Sequence, residues 1–138
     1  MGKLGFAVTT SIGVDMSGVR YPEMRNDIID ALRALADRTY QQRVWVDRIY
    51  PRPGYYDDLT HNINVLYDDT LVAEDPSSQV GVSLKDGREV AAIEALKEIL
   101  DPILDSISPD DSDLDVISRP DWTNVVIAAG NAIRVLSS

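Results

Sequence analysis

The sequence predicts an α+β fold: an antiparallel sheet of about four strands in a meander, with one helix before it and two after, packed mainly on one face. Three observations lead there. Apolar residues recur at helical spacing near both ends of the chain. Short β-branched and aromatic segments fill its middle. The connections between those segments are too short for parallel crossovers. The chain has 138 residues, 44% of them hydrophobic, enough for one domain with its own core. Residues 1–19 read as an N-terminal arm, flexible or a weak edge strand, and 20–138 as a single α+β domain.

The first element begins at Tyr21-Pro22, because proline suits the first helical turn. Met24, Ile28, Ala31, Leu32 and Leu35 follow at three- and four-residue steps, with Asp27, Asp30 and Arg33 on the other side, so the helix spans about Pro22 to Ala36. Arg43 to Tyr50 is rich in β-branched and aromatic residues and reads as the first strand, ended by Pro51-Arg52-Pro53-Gly54. Ile63, Val65 and Tyr67 alternate as a second strand, with Asp68-Asp69 as a hairpin turn. Thr70 to Ala73 and Gln79 to Leu84 complete the meander around the turn at Asp75-Pro76-Ser77-Ser78.

Asp86-Gly87-Arg88-Glu89 has the form of a capping box and opens a helix carrying Ile93, Leu96, Leu100 and Ile103. Pro102 inside it predicts a kink or break. Ser108 to Asp115 reads as a polar acidic loop. Ser118-Arg119-Pro120-Asp121 caps a last helix whose stripe is Trp122, Val125, Val126, Ala129, Ile133 and Leu136.

The net charge is −10 and the pI about 4.3, which argues against nucleic-acid binding and against docking on anionic membranes. The absence of Cys removes disulfides, thiolate metal sites and Cys nucleophiles. A single His removes His-rich metal sites. Asp111, Asp113 and Asp115 have the spacing of a calcium loop, but Val116 and Trp122 stand where such a loop needs Gly and Glu, so no metal site is expected. No cofactor motif is present, and no cofactor is expected. The opening residues lack the apolar run of a signal peptide, and the expected location is cytoplasmic.

The segment from Trp45 to Asp69 concentrates Tyr, Trp, Arg, Asp and the one His. Such residue types make binding hot spots, so Trp45, Tyr55, Tyr56, Asp57, Asp58, Asp68 and Asp69 form a candidate partner-binding surface. An alternative is a pocket at His61 with Tyr67 and Arg43, in which Asp57 or Asp58 orients the imidazole as a base. No nucleophile motif accompanies it, so no catalytic residue is assigned and the chain reads more as a binding module than as an enzyme.

Tyr21-Pro22-Glu23-Met24-Arg25, Arg43-Val44-Trp45-Val46, Pro53-Gly54-Tyr55-Tyr56-Asp57-Asp58-Leu59 and Leu66-Tyr67-Asp68-Asp69-Thr70 resemble segments of a family of small acidic actinobacterial proteins of unknown function. The likeness runs from about Tyr21 to the last helix. It implies a bacterial cytosolic protein and brings no activity, cofactor or site residue. The functional expectation therefore rests on charge. It is a small acidic protein-binding module, in its most concrete form an immunity or antitoxin-like inhibitor of a basic partner. A small ligand-binding domain or enzyme around His61 is the second reading. A structural homodimer that pairs by an edge strand or by the last helix is the third, so the chain is expected as a monomer or a homodimer.

Overall fold

The computed structural model describes residues 18–137, and over that span the protein is helical. The expected arm at 1–19 lies, but for Gly18 and Val19, outside the described residues. Helix α1 is Pro22–Ala36, α2 is Arg38–Tyr40, α3 is Leu59–Asn64, α4 is Gly87–Ser106, α5 is Asp113–Ile117 and α6 is Trp122–Ser137. Helices α2 and α3 each run straight on into a wider π-helical segment, Gln41–Val46 and Val65–Asp69 respectively. A 3-10 turn covers Pro76–Gln79. Among the described residues no helix is long and apolar enough to cross a membrane.

The predicted sheet is absent from the described residues, where pairing is limited to an isolated bridge between Val80 and Leu84. The α+β expectation is therefore corrected to an all-helical fold. Burial explains why. In the π segment Gln41–Val46, which takes up the start of the first expected strand, the buried residues are Gln41, Val44 and Trp45, a three- and four-residue spacing that puts them on one side of a helix. In the second, the neighbours Val65 and Leu66 are both buried, which one face of a strand does not permit. Asp68-Asp69 forms the end of the second π segment rather than a hairpin turn. Thr70 to Ala73 is a turn that buries Val72 and Ala73. At Gln79 to Leu84 the amides of Val82, Ser83 and Leu84 all converge on the Gln79 carbonyl.

Both π segments close on i→i+5 bonds, Gln42 O to Asp47 N at 2.9 Å and Val65 O to Thr70 N at 3.0 Å. Each is followed by a residue forced into the left-handed region, Arg48 at φ 58° and Leu71 at φ 60°. Neither is glycine, so each turn carries backbone strain of about 1–2 kcal/mol that the packing must hold.

Other expectations stand or shift by one bond. Helix α1 has the expected bounds. Asp86 caps α4 by accepting from the amides of Arg88 and Glu89. The Glu89 side chain does not return to the Asp86 amide; it accepts from Lys85 N at 2.7 Å. Helix α4 continues past Pro102 to Ser106. The bond that proline removes would end on the Glu98 carbonyl, and both residues are exposed, so water can serve that oxygen. The end of the expected acidic loop instead opens α5, started by a capping box between Ser112 and Asp115.

Helix α6 packs against both α1 and α4 and carries the core between them. Trp122, Val125, Ala129 and Ala132 are fully buried on it. Two buried polar centres lock the helices together. Arg25 donates to both Glu89 oxygens at 2.7 and 2.8 Å, to the Ser83 carbonyl at 3.1 Å and to the Leu136 carbonyl at 2.8 Å. Gln41 donates to the carbonyls of Ala34 and Leu35 and accepts from the Trp122 indole at 2.9 Å.

Arg25→Ala leaves the Glu89 carboxylate buried and short of its cation. It is expected to cost about 3–5 kcal/mol in urea unfolding, while Arg25→Met combined with Glu89→Leu recovers a large part of the loss.

Candidate functional site

Asp27, Asp30 and Ala34 follow one another at helical steps and, with Asp37 just past the end of α1, give that helix one side that is open between its alanines and acidic at its edge. That side, with Ala31 and Arg33, forms one wall of a groove of about 600 Å³. Tyr55 and Tyr56 from the loop before α3, with His61, Val65 and Asp69 from α3 and its π segment, form the other. Tyr40, Asp57 and Asn62 lie deepest. Five aspartates line the groove against one guanidinium, Arg33. Arg33 stands 3.6 Å from Asp30, but both side chains are well exposed, so the pair neutralises little.

The loop reaches this place through a tight turn. Gly54 sits at φ 82°, a conformation that other residues resist, and Tyr55 N donates to Arg52 O at 3.2 Å. The Tyr50 ring then stands 6.2 Å from Tyr55 and 6.0 Å from Tyr56, and the Arg52 guanidinium lies 5.0 Å over the Tyr55 ring.

Asp57 is buried and is the anchor of the groove. Its Oδ2 accepts from the Tyr40 hydroxyl at 2.7 Å and from the Trp45 indole at 2.9 Å. The Asn62 amide donates to both Asp57 oxygens and to the Asp58 carbonyl. Tyr40 has one proton and gives it to Asp57, so in the 2.6 Å contact between the phenols Tyr55 is the donor. Burial first, then the bonds to Tyr55 and Asp57, push the Tyr40 phenol far above its ordinary range. The phenol therefore stays a neutral donor well above the pH at which an ordinary tyrosine ionises.

The other predicted residues divide. Trp45 lies in the core beneath the groove, holding Asp57. Tyr55 is half-buried on the wall, and Tyr56 is 56% exposed with its hydroxyl donating to Asp58. That bond raises the Tyr56 phenol above its ordinary value. Asp58 also caps α3 through the amide of His61 at 2.7 Å. Asp69 lines the groove, while Asp68 is exposed outside its lining. His61 lines it too, whereas Arg43 does not, and Tyr67 is drawn to α4. There its hydroxyl donates to Asp101, and Lys97 lies 5.5 Å over its ring. Burial, then Asp101, raises the Tyr67 phenol.

The structure thus joins Tyr55, Tyr56, Asp57, His61 and Asp69, and leaves Arg43, Asp68 and Tyr67 elsewhere. Asp57 and Asp58 spend their oxygens on Tyr40, Trp45, Asn62, Tyr56 and a backbone amide rather than on orienting the imidazole as a base. Sequence reasoning missed Tyr40, Asn62 and the α1 wall. The signal for the wall was present in the helical spacing of Asp27, Asp30 and Asp37; the other two carry none.

The three aspartates of the calcium-like spacing act in turns. Asp111 accepts from Ser108 N, Asp115 from Ser112 N, and Asp113 from Leu59 N at 3.1 Å. The Asp113 bond ties α5 to the start of α3, and burial raises its carboxyl despite that amide. Among the described residues no group of His, Cys, Asp or Glu is placed to hold a metal ion.

Asp57→Ala strands three buried donors, each costing about 1–3 kcal/mol. A loss of at least about 3 kcal/mol is therefore expected in urea unfolding, with a changed Trp45 fluorescence. The raised Tyr40 phenol contributes stability that is fully present below the unfolded tyrosine value of about 10 and is lost as pH rises toward the folded value. Above about pH 10 the stability of Tyr40→Phe is expected to fall less steeply with pH than that of wild type, measured as urea midpoints.

No curated protein and no solved structure matches the chain. A family model does match, over residues 19–138, a span that takes in the whole stretch from Tyr21 to the last helix. The chain belongs to that family, the Domain of unknown function (DUF7945).

Proposed function

We propose that the protein is a small acidic binding module whose groove between α1 and α3 receives basic side chains of a partner protein. The observation that carries this reading is the lining: four aspartates and a wall bearing Tyr55 and Tyr56, set over a fixed Asp57 hub. Carboxylates at the rim attract a cation, and tyrosine faces accept a guanidinium or ammonium without giving up their neutral hydroxyls. Arg52 over Tyr55 is an instance of that contact within the chain itself. The net charge of −10 adds long-range steering toward a basic surface. An inhibitor of a basic, nucleic-acid-cleaving partner is the most concrete form of the reading, and the cytoplasm is its proposed compartment.

Asp57 supports the groove from below, so the test uses the exposed carboxylates of α1. A fluorescein-labelled oligoarginine peptide is titrated by anisotropy at low and high ionic strength. Wild type is expected to bind at low salt and release at high salt. Asp27→Asn with Asp30→Asn is expected to weaken binding by about tenfold or more, since two charges facing the ligand are removed. Asp110→Asn with Asp111→Asn removes the same charge away from the groove and is expected to leave binding near wild type. Equal losses in the two double variants would overturn the groove as the site.

A further inference from the structure

The groove between α1 and α3 holds the one histidine of the chain. Asp58 caps α3 and takes the His61 amide, which fixes the backbone at this residue. The imidazole is exposed on the groove wall and makes no hydrogen bond or ion pair with the described residues. Its nitrogens are left to whatever enters. The charge that shares the groove is one-sided. Asp27 and Asp30 come from α1, with Arg33 beside Asp30, and Asp37 follows just past that helix. Asp69 comes from the π segment that continues α3. Asp57 and the Tyr40 phenol lie beneath, and Tyr55, Tyr56 and Asp58 precede His61 along the chain. Asp113 of α5 stands at the start of α3 on the Leu59 amide, where Arg48 offsets part of its charge.

We infer that His61 gates the groove by acidity, an inference that rests on the groove being a cation site: the neutral imidazole admits a guanidinium or ammonium, and the protonated one excludes it. A neutral imidazole offers one nitrogen as an acceptor to an incoming N–H, whereas the imidazolium has two donors and no acceptor. Protonation also sets a positive charge inside the groove. There it repels the ligand and cancels part of the aspartate field that attracts it. Imidazole is the side chain whose ordinary titration falls between about pH 5 and 8, and this groove has one. The phenols of Tyr40 and Tyr56 are both raised above the ordinary tyrosine value and stay neutral throughout that range. Proton and basic ligand thus exclude each other. By linkage the effect is reciprocal: the ligand lowers the protonation midpoint of His61 by as many pH units as protonation lowers the affinity in decades.

The labelled oligoarginine peptide is titrated by anisotropy at low ionic strength between pH 8 and pH 5. Wild-type affinity is expected to fall about five- to tenfold over that range, the effect of one added charge within the groove. His61→Gln stays neutral and is expected to lose most of this dependence. Burial raises the Asp113 carboxyl, but the Gln variant keeps Asp113, so the comparison subtracts its titration. His61→Lys carries a permanent charge and is expected to bind at pH 8 about as weakly as wild type does at pH 5. Because His61 is the only histidine, its ring-proton resonances report its midpoint directly by NMR. Oligoarginine is expected to lower that midpoint by about 0.7–1 pH unit. Equal pH dependence in wild type and His61→Gln overturns the gate while leaving the groove as a site. A His61 midpoint that bound oligoarginine does not move overturns it as well. A wild-type protein that fails to bind oligoarginine at pH 8 overturns the reading of the groove itself, and the gate with it.

Discussion

The Arg25 guanidinium is the contact on which the arrangement of helices depends. Its bonds to Glu89, Ser83 and Leu136 reach α4, the turn before it and the last turn of α6 from a single side chain on α1. A buried arginine is tolerable only when its donors are met, and here Glu89 takes both forks while two carbonyls take the rest. Such a pair contributes little net energy compared with an apolar core of the same shape, because desolvation offsets the attraction. It does specify arrangement. Any other pairing of these helices leaves a buried charge alone, so α1, α4 and α6 meet in one register.

Fixing α1 by one side leaves its other side free to serve the groove. Asp57 repeats the same physics on a smaller scale: one carboxylate, buried and saturated by a phenol, an indole and an amide. Because those donors come from α2, its π segment and α3, the walls are held at a set distance without any sheet. The two π segments suit this role. Each adds a residue to a turn and is followed, two positions on, by a strained left-handed residue, re-aiming the chain toward Tyr50 and toward Val72.

The groove is concave, acidic and aromatic, and any attraction there works through charge and weakens with salt. A proton acts on the same charge at one place, because a single imidazole stands on the groove wall. Salt and acidity therefore weaken the attraction by different routes, screening in the first case and an added positive charge in the second.

The sequence by itself determined features that depend on nearest neighbours. Pro22 at a helix start and an unbroken apolar stripe set the bounds of α1, and Asp86 set the start of α4. The acidic balance, and the crowding of Tyr and Asp before α3, were equally legible, and several of those residues do line the groove. What failed was the middle of the chain. Val44, Trp45, Ile63, Val65 and Tyr67 favour strands by composition, and short apolar runs do not distinguish a strand from a turn or two of helix. The decision came from which residues find partners: Gln41 buried against Trp122, Val65 beside Leu66, Trp45 on Asp57. Those partners lie up to 81 positions apart. Arg25 and Tyr40 were hidden for the same reason: a polar side chain reads as surface until the tertiary structure brings the groups that satisfy it.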